Sequence, residues 1–369
     1  MEKRRILIVS GAFLPDISPR SYRTTELAKE LARQGHDVTV IIPLNGHNYH
    51  SFEKEHELKI KSIGTLKWKD IKLKGGKIEL LFRRVLKRVL KMVFEWPDIE
   101  LAFKVHEALK TESNYDILIS VAVPYPIHWG VASIVGNNRE ITRCWIADCG
   151  DPYMGDTTDS FRKLFYFKYV EKWFCRRADY ITVPFKGAVN AYYPEFHNKI
   201  RIIPQGFSLD NLSLSDTPKV NDYPIFAYAG GFIPGKRDPG QMLKFLEGWK
   251  EDFRFIVFTS QDGLLADARD KLGCKLEIRP FIPRAELLVI LSEMDFLVNF
   301  DNNVTTQLPS KLIDYAITGR PVLNITKDDD FIGLAQFLEG DYSKRMILEK
   351  PENYDIRHIA RQFVNLQTE

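Results

Sequence analysis

Lys311 and Asp314 stand three residues apart in the stretch Thr305–Leu323, which reads TTQLPSKLIDYAITGRPVL. Pro309 stops the extended run before them, and Ser310 carries a side chain suited to capping a helix N-terminus. The spacing predicts a helix over Lys311–Ile317, ended by Gly319 in a left-handed conformation and kept from resuming by Pro321. A lysine in the first turn faces the positive end of the helix macrodipole, at a cost of about 0.3–1 kcal/mol. Bare N–H groups and an ammonium together make a cradle for a phosphate. Asp314 lies one turn deeper on the same face. The plainer alternative is a Lys311–Asp314 surface pair contributing about 0.3–0.5 kcal/mol.

A second basic group follows a strand pattern at Gly230-Gly-Phe-Ile-Pro-Gly235-Lys236-Arg237 and matches G-x-x-x-x-G-K. A P-loop needs Ser or Thr next, to hold Mg²⁺, and Arg237 stands there instead. Pro234 removes an N–H donor from any phosphate nest, and Asp238–Pro239 breaks the helix that should follow. The P-loop reading therefore fails. Asp328-Asp329-Asp330 fails as a metal site, because three consecutive carboxylates do not converge on one ion in an ordinary turn.

Pro309-Ser310-Lys311-x-x-Asp314-Tyr315-x-x-x-Gly319-x-Pro321 resembles the donor-binding segment of retaining family 4 glycosyltransferases, which have the GT-B fold. The resemblance implies that Lys311 holds the nucleotide diphosphate and Asp314 the ribose hydroxyls. It also places Thr306, Gln307, Leu308, Pro309 and Ser310 along the donor. Gly230–Arg237 is similar to the family's second anion contact, which implies Gly231 beside the donor and Arg237, or Lys236 in its place, on the diphosphate. The family's first glutamate, eight residues before the second acid, is Thr306 here, and a hydroxyl lacks a carboxylate's charge and paired acceptors.

Two further segments resemble the same family. Arg23–Ala28 and Gly35–Val40 are similar to its opening, although Ile17–Ser18–Pro19 stands near where a glycine pair is usual. Arg20 and Arg23 either touch an anionic ligand or are solvated helix-start residues. Pro124–Pro152 resembles a branch in which a Pro-rich turn with His precedes Trp-x-x-Asp-x-x-Asp-Pro. His128 is then a donor contact or, failing that, a structural histidine. Asp148 and Asp151 are expected just past a strand's carboxyl end, where open α/β sheets bind ligands, here on the acceptor side.

The elements that must hold these residues read as two α/β patterns. Ile6–Val9, a helix through Leu27, Ala28 and Leu31, and Asp37–Ile42 make a βαβ unit without the G-x-G-x-x-G fingerprint. Strands are expected at Asp116–Val121, Arg143–Ala147, Ala178–Val183 and Ile200–Pro204, and a helix at Phe161–Arg177 with Phe165, Tyr169 and Trp173 in the core. The pattern restarts at Ile225–Ala229, with strands at Phe253–Thr259, Lys275–Arg279 and Phe296–Asn299 and helices at Gly240–Gly248 and Arg284–Ser292. The expected division is residues 1–207 for the acceptor, a linker over 208–223, and 224–352 for the nucleotide sugar. Residues 353–369 include a final helix that, in the family, packs back on the first domain. The fold class is thus α/β, GT-B, with two Rossmann-like open parallel-sheet domains expected to face across a cleft.

Across 369 residues the net charge is only +3, too small to argue for nucleic acid. It hides a strong asymmetry: Lys67–Lys91 carries ten Lys/Arg against Asp70 and Glu79, a local +8, leaving −5 elsewhere. Arg83, Arg84, Lys87, Arg88 and Lys91 share one face of a helix whose other face holds Leu81, Phe82, Val85, Leu86, Val89, Leu90, Met92 and Val93. Such a helix either lies on an anionic membrane, at about 1 kcal/mol per cation, or covers its own sheet. Cys144, Cys149, Cys175 and Cys274 lack paired C-x-x-C spacing, so neither zinc nor a disulfide framework is suggested and a reducing cytoplasm is expected. The opening MEKRRILIVSGAFLP lacks a cleavage site and reads as a first strand; no run approaches the ~20 apolar residues of a membrane span.

The expectation is a glycosyltransferase that moves a sugar, with retention, from a nucleotide-diphosphate donor to a glycan or lipid-linked acceptor of bacterial surface polysaccharide synthesis. It is expected to need no cofactor or metal, to bind no nucleic acid, and to be cytoplasmic, peripheral on the inner face of the membrane. A GT-B sugar-nucleotide epimerase and a catalytically silent GT-B subunit that binds nucleotide or a partner are the rivals.

Overall fold

The computed structural model describes residues 2–136, 138–156, 162–208, 214–215, 221–233, 235, 237–301 and 311–368. The chain divides into two compact units, Met1–Ser208 with Tyr354–Glu369, and Leu209–Asn353.

The first unit carries β1 (Arg5–Ser10), α1 (Pro19–Arg33), β2 (Asp37–Ile42), α2 (His50–His56), β3 (Lys59–Ser62), α3 (Lys77–Phe94), α4 (Glu100–Leu109), β4 (Tyr115–Ala122), α5 (Pro126–Val135), β5 (Thr142–Cys149), α6 (Phe167–Arg177), β6 (Tyr180–Val183) and β7 (Ile200–Ile202). The strands form one sheet in the order β3-β2-β1-β4-β5-β6-β7, and each pairs in parallel with its neighbours. Central strands such as Ile6–Val9 are unbroken apolar runs because helices cover both faces of the sheet. Leu101, Val105, Trp129 and Phe174 pack on one face, with Leu27, Leu31, Ile359 and Phe363 on the other. Helix α1 begins with Pro19 in its first turn, and the Ser18 hydroxyl accepts from Ser21 N–H at 3.1 Å, a standard cap that fixes where the helix starts.

The second unit carries β8 (Ile225–Ala229), α7 (Gly240–Gly248), β9 (Arg254–Phe258), α8 (Ala266–Leu272), β10 (Leu276–Arg279), α9 (Arg284–Ser292), β11 (Phe296–Phe300), α10 (Lys311–Thr318), β12 (Val322–Ile325) and α11 (Ile332–Leu338). Its sheet is parallel throughout in the order β10-β9-β8-β11-β12. Helices α8 and α11 had no sequence assignment. A parallel β9–β10 step requires a crossover, and α8 supplies it. The chain then returns to the first unit as α12 (Ile356–Asn365), which Asp355 caps by accepting from Arg357 N–H at 2.8 Å. Phe207 and Ile356 lock that return, with Phe207 N–H donating to Tyr354 and Ile356 N–H donating to Phe207.

Two packing expectations change. No residue of α3 is buried, and Leu81, Phe82 and Val85 are 63%, 64% and 53% exposed. The sheet faces are already taken by α1, α4, α5, α6 and α12, so α3 does not cover its own sheet. Around α6, Phe165 and Tyr169 are 72% and 60% exposed. The buried stripe is instead Phe167, Glu171, Phe174 and Cys175, displaced around the helix from the aromatic one.

Candidate functional site

In the second unit a basic cluster forms where β8 ends and α10 begins. Strand β8 runs into Gly230, whose φ of +150° is a conformation that side chains rarely adopt. A Cβ there would also press on the Tyr228 hydroxyl at 3.1 Å. Tyr228 is fully buried and donates to Gly231 O at 2.8 Å. Tyr315, buried on α10, accepts from Ala229 N–H at 3.0 Å, so the helix and the end of the strand are fixed to each other.

On that frame the Lys311 ammonium lies 4.3 Å from the centre of the Tyr228 ring. Its Nζ is buried, with no hydrogen-bond partner among the described residues. Burial, and then the charge of Arg237, push the Lys311 pKa down to about 7. Arg237 is brought in by a tight turn in which Ile233 N–H donates to Arg237 O at 3.0 Å, with Gly235 at φ +73°. Asp238 accepts from Gly235 and Gly240 N–H, fixing the turn at the head of α7. Arg237 Nε is also buried without a partner among the described residues. Arg237 lies near enough for its charge to act on Lys311, and neither cation pairs with a carboxylate of the described residues. That is costly for the folded chain until an anion arrives. A cavity of about 260 Å³ lies beside the turn, lined in part by Gly235, Asp238, Phe300 and Lys327.

Asp314 does not pair with Lys311. Arg284, the first residue of α9, reaches its Oδ1 at 2.8 Å through Nε and at 2.6 Å through Nη2. Burial raises the Asp314 pKa and the Arg284 charge pulls against it. The sequence reading missed Arg284, although a cation at a helix start is the signal that singled out Lys311. Thr306, Gln307, Leu308, Pro309, Ser310 and Lys236 lie outside the described residues.

In the first unit the candidates scatter. Arg23 is 2% exposed, neither a solvated helix-start residue nor a ligand contact. Its Nε and Nη2 bond Asp148 at 3.0 and 2.9 Å, its Nη1 donates to Pro204 O, and Phe363 of α12 covers it at 4.9 Å. Asp148 is inside β5 rather than past its end, and also accepts from Thr182. This pair joins α1, β5, β6 and α12, which corrects the acceptor-side reading of both residues. Arg20 lies over Gly150, where a Cβ would fall 2.2 Å from its guanidinium. Burial lowers its pKa, with Asp148 and Asp151 opposing. Asp151 is exposed just past β5 and Arg20 is half-buried, so these two are the acceptor-side candidates that still reach the surface.

His128 is corrected as well. It is completely buried on α5, with Nδ1 2.8 Å from Ser120 Oγ and Nε2 3.4 Å from Cys149 Sγ. Phe174 stacks on it at 5.2 Å. Burial pushes its pKa down to about 3, so it is a neutral core residue. Arg83, Arg84, Lys87, Arg88 and Lys91 all lie on α3; Arg83 pairs with Glu79, Lys87 with Asp70, and Arg84 and Lys91 are exposed.

Two parallel-sheet α/β units of this kind are the GT-B architecture. The chain belongs to Glycosyltransferase Family 4, whose family model matches residues 21–211, just over half of its length. Its fold is similar to that of TarM, with a TM-score of 0.63 at 10% identity, covering 100% of this chain and 99% of that one. It is similar to the lipopolysaccharide outer core galactosyltransferase WaaB, with a TM-score of 0.61 at 12% identity, covering 98% of each chain. It is also similar to HepE of Anabaena, solved in complex with UDP and glucose, with a TM-score of 0.57 at 10% identity, covering 99% of this chain and 97% of that one. No curated protein sequence matches the chain. At these identities the structures speak for the fold alone.

Proposed function

We propose that this glycosyltransferase moves a sugar from a nucleotide-diphosphate donor, with retention at the anomeric carbon, to a lipid-linked glycan acceptor of surface polysaccharide synthesis. The observation that carries the proposal is the Lys311–Arg237 pair, whose Lys311 Nζ and Arg237 Nε are buried without a hydrogen-bond partner among the described residues. As the glycosidic bond breaks, negative charge builds on the leaving diphosphate. Cations fixed in place beforehand stabilise that charge more than the ground state, which is electrostatic catalysis. The guanidinium of Arg237 suits paired phosphate oxygens, with Lys311 as the point charge across from it. The contacts that Arg284 makes with Asp314 fall on Oδ1, which leaves Oδ2 for the ribose hydroxyls. The leaving phosphate takes the acceptor's proton.

The acceptor enters by the first unit, near Arg20 and Asp151, with the chain peripheral on the inner face of a membrane through α3. No described helix is long and apolar enough to cross a membrane. Because cations of the chain meet the diphosphate charge, turnover is expected to survive a chelator. Incubation with a panel of nucleotide sugars tests the reading. Acceptor-dependent diphosphate release with a retained anomeric configuration supports it. An isomerised sugar formed without acceptor would replace it with the epimerase, and binding with neither outcome would replace it with a silent subunit.

A further inference from the structure

We propose that an aromatic groove in the first unit takes the hydrocarbon chain of an anionic membrane lipid, with α3 lying on the surface that supplies it. The groove encloses about 920 Å³ and is walled by α3, α4, α5 and α6, a size within the ~300–1,000 Å³ of small-molecule sites. Trp68, Phe94, Trp96, Phe103, Trp129 and Trp173 line it. Trp68 and Trp96 stack at 4.6 Å, and Phe103 meets Trp68 edge-on at 6.1 Å. Scattered exposed aromatics need no explanation, but a continuous apolar trough marks a binding surface.

The polar content of the groove points to its occupant. His106 and Ser133 are bonded to each other at 2.6 Å, and the buried indole N–H of Trp129 has no partner among the described residues. An extended peptide would bring N–H and C=O groups that need partners, and among the described lining residues only the Trp129 N–H is a buried polar atom left without one. A hydrocarbon chain brings no such groups, and an ester oxygen at its head would answer Trp129.

Charge and exposure point to the source. Helix α3 gives the groove Leu90, Val93 and Phe94, while Ile78, Leu81, Phe82, Val85 and Val89 are 42–86% exposed. Cations flank that stripe, Arg84 and Lys91 among them in the open. An apolar stripe bordered by Lys and Arg is the pattern of a helix lying in an anionic interface. Phe165, just before α6, and Tyr169 in its first turn extend the exposed apolar rim. A soluble acidic partner would match the cations and leave both the stripe and the trough uncovered.

The inference rests on the proposed lipid-linked acceptor for its purpose, though not for the binding itself. The test uses the full chain with vesicles of phosphatidylglycerol and phosphatidylcholine at low salt. The chain is sedimented, stripped with high salt and weighed by native mass spectrometry. The expected result is co-sedimentation and one retained phosphatidylglycerol. Ser133→Trp and Val170→Trp, which fill the groove from α5 and α6, should sediment like the unaltered chain and retain no lipid. Sedimentation of the unaltered chain without retained lipid overturns the groove assignment, and so does equal retention of phosphatidylcholine. Absence of both sedimentation and lipid overturns it together with the role of α3. A dimer that the filled variants abolish names a second copy as the occupant and also overturns it. Should both variants misfold by circular dichroism, retention by the unaltered chain still decides. Transfer to a water-soluble acceptor fragment, assayed on the same preparation, reports the transferase reading separately.

Discussion

Arg23 in the first unit and Lys311 in the second both stand near the start of a helix, and both carry their charge into the interior. Their surroundings differ. Arg23 meets Asp148 with two nitrogens and spends a third on Pro204 O. Lys311 meets an aromatic ring and the like charge of Arg237. A buried cation with its full set of partners holds a fold together; one without them is held ready for an anion from outside. Burial alone therefore does not mark a site, and the state of charge compensation does.

Substitutions should separate the two. Arg23→Met leaves Asp148 buried and unpaired, and should cost about 3–5 kcal/mol of stability, read by denaturant or thermal unfolding. The sign of the pH dependence follows. Burial raises the Asp148 pKa, but Arg23 and Thr182 more than reverse this, so it lies below 3.8 when folded. That stabilisation is complete above the unfolded pKa and is lost as pH falls through the folded one. Lys311→Ala should do the opposite. Stability stays level or rises, because an unpaired buried charge is gone, while kcat falls by about 10²–10³-fold, or ~2.7–4 kcal/mol.

His128→Leu leaves Ser120 Oγ and Cys149 Sγ without that neighbour and should cost about 1–3 kcal/mol of stability. Activity per folded molecule should not change. A pH–rate profile altered by this substitution would restore His128 to the reaction. The smallest effect is expected at Arg284→Met, which frees Asp314 Oδ1. Donor KM should rise by about 5–30-fold, or ~1–2 kcal/mol, with kcat nearly unchanged, since the ribose contact is the same in ground and transition states.

That both units hold parallel sheets was legible because buried parallel strands are continuous apolar runs, whereas the polar edge strand β3 was not. Lys311 was legible because its charge conflicts with the helix dipole. Arg284 conflicts in the same way, but it was read only as the start of a helix. The burial of Arg23 was also available, since Arg23, Leu27 and Leu31 fall on one helical stripe. So was that of His128, embedded in the apolar run Pro126–Val135. Resemblance to a family drew attention to these residues, whereas periodicity would have put them inside. Tyr228 and Tyr315 could not be singled out, because an aromatic in an apolar run reads as core until its hydroxyl is placed. On α6 the buried Glu171 disguised the core stripe, and the aromatic stripe beside it was chosen instead. The exposure of α3 depends on other helices having covered the sheet first, a tertiary fact that local pattern does not carry.

The central claim is that the Lys311–Arg237 pair receives the donor's diphosphate, and proton linkage tests it most directly. Free Lys311 has a pKa of about 7, and a bound diphosphate should raise it. Titration calorimetry with a nucleoside diphosphate above pH 8, in buffers of different ionisation enthalpy, counts the protons taken up on binding. The prediction is an uptake approaching one proton per chain, with affinity weakening by up to about tenfold per pH unit. Lys311→Arg, which stays charged, should bind without either effect. Equal affinity across that range and no proton uptake by the unaltered chain would contradict the account.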